Sequence, residues 1–554
     1  MNSAIRNKLQ RKFKMRGYTI KFEALSEFQR FLIHFPGAED EALDILLEEI
    51  RRRPRNKSNI FEFRNVISLS NIVTIVFGIV KSSVLDKEPV QKVVSLLLET
   101  NTAAEGLTGN GCESSAQPMG IIDAFDFPKF RYDPIKKLFH EYKAKPPIHG
   151  DASAKATLYK DRFLLLFQKL SRDPHFSTPV FDSDISDYGS CQISTIQSLV
   201  GQTGKKWVMG LISQLEDGHF YLEDLTAAVE VDLSDARITT GFFSENTIVL
   251  AEGEMLLNGI FKVKTCGFPP LEDREKSVTM FSGIDFFGSG SLTKEETRRL
   301  AELEKEAVND MFVILSDVWL DNEDTMENLK TIFSGYENEH VVPSLFVFMG
   351  NFCSRPCNLS FNSYSSLRSQ FGKLGKMIAD HQRLKEHSGF LFIPGPDDVG
   401  PSNVLPRCLL PKYVTEELQN YIPNAAFLSN PCRIKFYTQE IVFFRQDMLY
   451  RMRRSCLMPP SNEETSDPFE HLVATITHQS HLCPLPLSVQ PIIWNFDHCL
   501  HLYPTPHTIV LGDRSEQKAF NYTGITCFNP GSFSNDNTFA AYRPCSREVE
   551  LSAL

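Results

Sequence analysis

An unbroken apolar run that ends abruptly in a carboxylate constrains the fold of this chain more than any other stretch. Phe312-Val313-Ile314-Leu315-Ser316-Asp317 continues into Val318-Trp319-Leu320-Asp321. A run apolar at every position reads as a strand covered on both faces, as in a parallel sheet, and the polar residue ending it marks the ligand-bearing edge. Three later stretches repeat the pattern: Leu345 to Met349 into Gly350-Asn351, Phe390 to Ile393 into Pro394-Gly395-Pro396-Asp397-Asp398, and Thr508 to Leu511 into Gly512-Asp513. Four strand ends are therefore expected to gather polar residues at one rim.

The chain has 554 residues, which suggests about three to five domains. Its net charge of −11 argues against non-specific nucleic-acid binding over the whole surface, though it leaves room for a local basic patch. The 12 cysteines include no CxxC pair; Cys353 and Cys357 are the closest together, and no second pair stands at zinc-ribbon spacing. Residues 1–21 carry seven Lys/Arg and no apolar core, unlike a secretory leader. Reduced thiols in a cytosolic or nuclear protein are expected. The longest apolar tract, Val66 to Val80, is broken by Ser68, Ser70, Asn71 and Thr74. It falls short of the ~20 residues of a membrane span and reads as buried helix.

Residues 1–85 have helical spacing, with Ile5, Leu9 and Phe13 on one face and Phe22, Leu25, Phe28, Phe31 and Leu32 following, which predicts an N-terminal helical bundle. Two basic features lie there: the face of Arg6, Lys8, Arg11, Lys12, Lys14 and Arg16, and the run Arg51-Arg52-Arg53-Pro54-Arg55-Asn56-Lys57. Solvated surface accounts for both; an import signal, an acidic partner or nucleic acid are the sharper readings. Residues 86–120 read as a linker, rich in small polar residues from Thr100 to Met119. Residues 121–185 form a connecting segment whose amphipathic helix, Lys155 to Leu170, buries Leu158, Phe163, Leu165, Leu166 and Leu170.

Five short strands with hairpin turns at Glu216-Asp217-Gly218 and Leu257-Asn258-Gly259 then predict an OB-type barrel over residues 186–270. Its strands and turns carry Glu223, Asp224, Glu230, Asp232 and Glu252, a balance that favours a structural or protein-binding barrel over a single-strand binder. Residues 271–554 alternate the apolar strands with long helical stretches, notably Thr293 to Asn309 and Ser365 to Glu386, and read as an α/β domain.

The strand ends resemble those of the calcineurin-like metallophosphoesterases, whose motifs run Asp-x-His, Gly-Asp, Gly-Asn-His-Asp/Glu, a lone His, Gly-His-x-His and Asn-Pro-Gly-Ser. Such an enzyme clamps two metals ~3.5–4 Å apart with a bridging carboxylate and imidazoles. Here Trp319 stands where the first imidazole belongs, and Asn351 where the bridging carboxylate belongs. The third motif reads Gly395-Pro396-Asp397-Asp398, and Gly512-Asp513-Arg514-Ser515 has lost both imidazoles. Asn529-Pro530-Gly531-Ser532 survives as a backbone turn, and His478 and His481 are the imidazoles nearest the fourth motif. The resemblance implies the fold without its metal ligands: no catalytic residue, no metal and no cofactor.

An eroded phosphoesterase behind an OB-type barrel resembles the B subunits of the replicative DNA polymerases. The finer motifs Phe312–Asp321, Pro394–Asp398, Asn430–Arg433, Leu482–Leu487 and Tyr503-Pro504, with Leu250–Gly253 and Gly267–Pro270 in the barrel, are similar to those of the epsilon branch. The resemblance implies a multidomain α+β chain and a nuclear, non-enzymatic scaffold subunit in DNA replication and repair. Its barrel and inactive phosphoesterase domain would bind the C-terminal region of the catalytic subunit. The N-terminal bundle, similar to the lid of AAA+ ATPases, would reach the GINS part of the CMG helicase. Small histone-fold subunits would associate indirectly and DNA weakly or indirectly, with no membrane. Two alternatives stand beside it: a phosphoesterase or nuclease with altered ligands, and a single-strand-DNA-binding barrel.

Overall fold

The computed structural model describes residues 19–20, 84–85, 119–176, 191–290, 292–357, 361–400 and 403–554. The chain divides into two compact units, Met1–Ser115 and Ala116–Leu554. In the first, Thr19–Ile20 and Val84–Leu85 pair in parallel. The helical bundle expected over 1–85, both basic stretches there and the linker up to residue 118 otherwise lie outside the described residues.

In the second unit two six-stranded mixed sheets pack face to face. The first has the order Ala426–Phe427, Gly389–Ile393, Leu345–Met349, Phe312–Ser316, Thr538–Arg543, Glu548–Ala553, and its first four strands run parallel. All five residues of Phe312–Ser316 are buried, and the period-two alternation of a strand assigns them to two cores. Val313 and Leu315 pack with Leu329, Phe333 and Phe371 of the covering helices. Phe312 and Ile314 meet Ile434, Phe443, Val510 and Phe528 of the facing sheet. This burial on both faces is why the run contains no polar position before Ser316.

The second sheet has the order Lys518–Tyr522, Ile525–Asn529, Thr508–Gly512, Gln439–Arg445, Cys432–Phe436, Met119–Asp123. The four apolar runs are therefore split between two sheets, since Thr508–Gly512 belongs to the second. An apolar period reports burial on both faces but not which sheet supplies the hydrogen bonds. Both sheets nonetheless bring these strand ends to one edge. A Cβ on Gly512 would lie 2.7 Å from Ser316 Oγ and 2.8 Å from Met349 Cε, so only glycine lets the two layers approach this closely there.

The helix expected from Ser365 to Glu386 is two, Phe361–Ala379 and Gln382–His387. His381 breaks it in extended backbone, its Nδ1 2.9 Å from the Met377 carbonyl oxygen. The helix expected from Thr293 runs over Lys294–Glu306, where Thr293 and Glu296 form a capping box.

Lys205–Glu216, His219–Glu223, Ala228–Asp232, Ile248–Met255 and Phe261–Gly267 form the barrel, with the short strand Arg237–Ile238 at one edge. Pairing of Ile248–Met255 with Phe261–Gly267 closes it. The register shifts between Glu252 and Gly253, where a Cβ would lie 2.3 Å from the Lys262 carbonyl oxygen, so the closing bulge requires glycine. Helix Ala152–Leu170, N-capped by Asp151, packs Phe163, Leu166 and Leu170 on Met209, Ile248 and Leu250 of the barrel. The residues ahead of this helix are woven into the large domain, since Met119–Asp123 pairs along Cys432–Phe436. Among the described residues no helix is long and apolar enough to cross a membrane.

Candidate functional site: a rim closed by guanidinium groups

Asp317 follows strand Phe312–Ser316 with φ 59, a left-handed conformation that aspartate tolerates better than most residues. Its amide donates to the Met349 carbonyl at 2.9 Å, and its side chain is 1% exposed. A carboxylate so enclosed is costly unless donors surround it. Ser532 Oγ donates to Oδ2 at 2.8 Å and Trp319 Nε1 to Oδ1 at 3.1 Å. Two guanidinium groups complete the shell. Arg514 straddles the carboxylate, Nε to Oδ2 at 3.2 Å and Nη2 to Oδ1 at 3.3 Å, and Arg445 Nη2 reaches Oδ1 at 3.4 Å.

Arg445 is the residue that sequence reasoning missed. It ends strand Gln439–Arg445, whose Ile441-Val442-Phe443-Phe444-Arg445 is one more apolar run with a charged end. The charge is positive, so a search for carboxylates passes over it. Its Nη1 donates to Asp447 Oδ1 at 2.7 Å and to the Gly512 carbonyl at 3.0 Å, and its Nε to the Gly350 carbonyl. Burial alone would lower its pKa, but Asp447 and Asp317 outweigh burial and hold the guanidinium above its ordinary value.

The other motif residues interlock around this pair. Asn351 Oδ1 accepts from the Asp397 amide at 2.9 Å, and its Nδ2 donates to Asp397 Oδ2 at 3.1 Å. Asp398 accepts from the amides of Phe352 at 2.7 Å and Gly395 at 2.8 Å. Burial still raises its pKa to about 6 against those bonds. Asp513 accepts from the amides of Leu449 and Ser515, each at 2.9 Å. Asn529 Oδ1 accepts from the amides of Asp513 and Gly531, each at 3.1 Å. The surviving Asn-Pro-Gly-Ser turn thus does more than turn the backbone, because Ser532 also supplies a hydroxyl to Asp317.

This donor set does not fit a metal pair. Two dications would need a shared carboxylate, yet the bridging position holds Asn351, and arginines already neutralise Asp317. His478 and His481 bond elsewhere. His478 Nδ1 lies 2.8 Å from the Pro269 carbonyl oxygen and Nε2 2.8 Å from Tyr522 Oη; burial lowers its pKa to about 4. His481 lies 3.2 Å from Asp497 Oδ1 and accepts from the Cys483 amide at 3.0 Å.

His481, Asp497 and His501 bring potential ligand atoms within 4.8 Å of one another. Arg162, however, occupies both Asp497 oxygens, at 3.0 and 2.5 Å. Burial would raise the Asp497 pKa, but Arg162 and His481 outweigh it and keep the carboxyl well below its usual range. The buried Arg162–Asp497 ion pair joins the connecting helix to the large domain, with His481 and His501 hydrogen-bonded to the same carboxylate.

Two family profiles match: that of the DNA polymerase alpha/epsilon B subunit over residues 312–521, and that of the DNA polymerase epsilon subunit 2-like OB-fold domain over residues 152–270. The DNA polymerase epsilon B subunit of Arabidopsis thaliana is 62% identical over 550 residues, 99% of this chain and 99% of that one. DNA polymerase epsilon subunit 2 of Mus musculus is 36% identical over 480 residues, 85% of this chain and 90% of its own length. Among solved structures, a novel archaeal phosphodiesterase aligns over 44% of this chain and 99% of its own at 9% identity and a TM-score of 0.24. With 62% identity across nearly the whole length of both proteins, the chain belongs to the family of DNA polymerase epsilon B subunits.

Proposed function

We propose that the chain is a non-catalytic accessory subunit of the DNA polymerase epsilon complex, working in nuclear DNA replication and repair. The observation that carries the non-catalytic part is the occupation of Asp317 by Arg445 and Arg514. A phosphoesterase rim must offer carboxylates to metal; this one offers them to its own side chains. The test is metal analysis of the purified chain, with phosphodiester hydrolysis assayed in added manganese. Neither bound metal nor turnover is expected. Hydrolysis abolished by Asp317→Ala would overturn the reading in favour of a nuclease with altered ligands.

The barrel and the eroded phosphoesterase domain would hold the C-terminal region of the catalytic subunit. Support comes from apolar side chains left in solvent: Leu257 is fully exposed at a barrel hairpin, and Met280 and Leu409 are exposed in the remainder of the same unit. Co-expression with that C-terminal region is expected to raise soluble yield and give a stoichiometric complex. A monodisperse chain with no affinity for it would count against the reading.

The unit Met1–Ser115, compact by itself, would serve as the tether to the GINS part of the helicase. Joining two binding modules in one chain raises the effective concentration of the second event without a new contact. Deleting residues 1–115 should then abolish capture of the helicase while sparing assembly with the polymerase. Two of the barrel's acidic residues face basic side chains, Glu230 meeting His219 at 2.7 Å and Glu252 meeting Lys205 at 4.0 Å. That supports a structural barrel over a single-strand binder.

A further inference from the structure

The hairpin of strands Phe130–Asp133 and Leu138–Glu141 is a two-stranded sheet apart from the barrel and both large sheets. One side is anchored on an aromatic base. Phe139 meets Phe281 and Phe286 edge-on, each at 4.9 Å, and stacks on Tyr503 at 5.5 Å. Asp133 Oδ1 accepts the Ile135 and Lys136 amides at 2.9 and 3.1 Å and fixes the turn. A mounted ribbon with a fixed tip is a preorganised element.

Beyond that base the ribbon is in solvent. Every residue from Pro134 to Leu138 is exposed, and Ile135 at the tip is 92% exposed. Of the six Lys/Arg in the stretch 129–149, Lys129 is buried on the Asn495 carbonyl and Arg131 pairs with Asp161 at 3.0 Å. The other four lie at and beyond the tip, against two acidic residues, in a chain whose net charge is −11. Lys136 and Lys137 follow the apolar Pro134-Ile135 tip, and Lys143 stands exposed on the returning strap beside Tyr142. Of the two acids, Asp133 is tied into the turn and lies 3.7 Å from His140; Glu141 is exposed.

We propose that this hairpin is a basic arm that grips double-stranded DNA. A two-stranded ribbon fits a DNA groove. The exposed lysines that follow the tip can meet phosphates, while an apolar Pro-Ile tip is the kind of group that wedges against a base step. The site is distinct from the rim and the barrel, and it rests on the reading of the chain as a replication subunit.

The test uses the full chain and a short labelled duplex, with binding followed by anisotropy over a range of salt. The native chain is expected to bind with a steep salt dependence. Lys136→Glu, Lys137→Glu and Lys143→Glu together should weaken binding at least ~10-fold and flatten the log–log salt slope by about 3, because each phosphate contact contributes nearly one unit. These side chains are exposed, so folding is not at stake; unchanged thermal unfolding confirms it. Ile135→Ala should lower affinity while leaving the slope alone. Failure of the native chain to bind duplex overturns the proposal, as does a triple variant with native affinity and slope. An arm that binds an acidic, leucine-bearing peptide in preference to duplex also overturns it. Assembly with the catalytic subunit reports separately on the subunit reading and is expected to be identical for native and variant chains.

Discussion

The Arg445 guanidinium and the Asp317 carboxylate lie 3.4 Å apart where the edges of the two sheets meet, with side chains 0% and 1% exposed. Each ends an apolar strand, one in each sheet, so the pair pins the layers together at the strand ends. Removing one partner of a buried pair costs about 3–5 kcal/mol when it leaves the other charge uncompensated. Arg445→Met takes the nearest cation from Asp447 and one of two from Asp317, which keeps Arg514, so a loss toward the lower end of that range, about 3 kcal/mol, is expected in urea denaturation. Asp317→Asn keeps one acceptor oxygen, enough for Ser532 or Trp319 but not both, and should lose roughly 1–3 kcal/mol. An Arg445→Met variant within about 1 kcal/mol of native stability would show that the pair does not hold the edge.

Gly350 sits inside the same edge. A Cβ there would lie 1.9 Å from Asp398 Oδ2 and 2.5 Å from the Gly395 amide nitrogen. Neither is the free end of a flexible side chain, since Asp398 is fixed by two backbone amides. Gly350→Ala is therefore expected to destabilise by more than ~2 kcal/mol, through overpacking and loss of those bonds. Gly204→Ala makes a useful contrast: no atom lies within 4 Å of that Cβ, though φ is +88. It should show only the modest cost of an unfavourable backbone, so equal losses from the two substitutions would refute the crowding account.

The apolar runs made most of the large domain legible in the sequence, because a strand buried on both faces leaves no polar residue for half its length. Leu345–Met349 and Thr508–Gly512 are buried at every position. What the runs could not disclose was partition: the same composition serves either sheet, and pairing is decided by contacts far apart in sequence, such as Met119–Asp123 on Cys432–Phe436. The site was legible as missing ligands. Trp319 and Asn351 stand where metal ligands were expected, but they did not say which groups surround Asp317 instead. Arg445 was found only in three dimensions, as were Arg162 and Asp497, which are far apart in the chain yet meet at 2.5 Å.

Cysteine reactivity offers an independent check on burial. The thiolate is the reactive form, and burial pushes the Cys266 and Cys483 thiols up to about 12. Cys432, Cys499 and Cys527 are raised by the same cause. Iodoacetamide at neutral pH should leave these five unmodified in the native chain and label all of them in denaturant, as read by peptide mass spectrometry. Rapid native labelling of Cys432 or Cys527 would contradict the packing between and behind the two sheets.

Acid should destabilise the fold well above the carboxylate range. Burial lowers the pKa of His481 and of His498 from 6.5 to about 3. In the unfolded chain both imidazoles take up protons below pH 6.5, while in the native protein they stay neutral until about pH 3. Over that window unfolding binds protons, so stability falls as pH falls, by up to ~1.4 kcal/mol per pH unit for each group. Asp497 acts in the same direction. Its native pKa is depressed, so its contribution is present above the unfolded value of 3.8 and is lost as pH falls toward its native value. His498 stacks between Phe127 and Phe496, and its Nδ1 is buried without a hydrogen-bond partner. His498→Phe should keep the stack and remove one of the titrating groups. The urea midpoint of the variant should then decline less steeply between pH 6 and pH 4 than that of the native chain. Parallel pH profiles would mean that His498 is already protonated in the folded state.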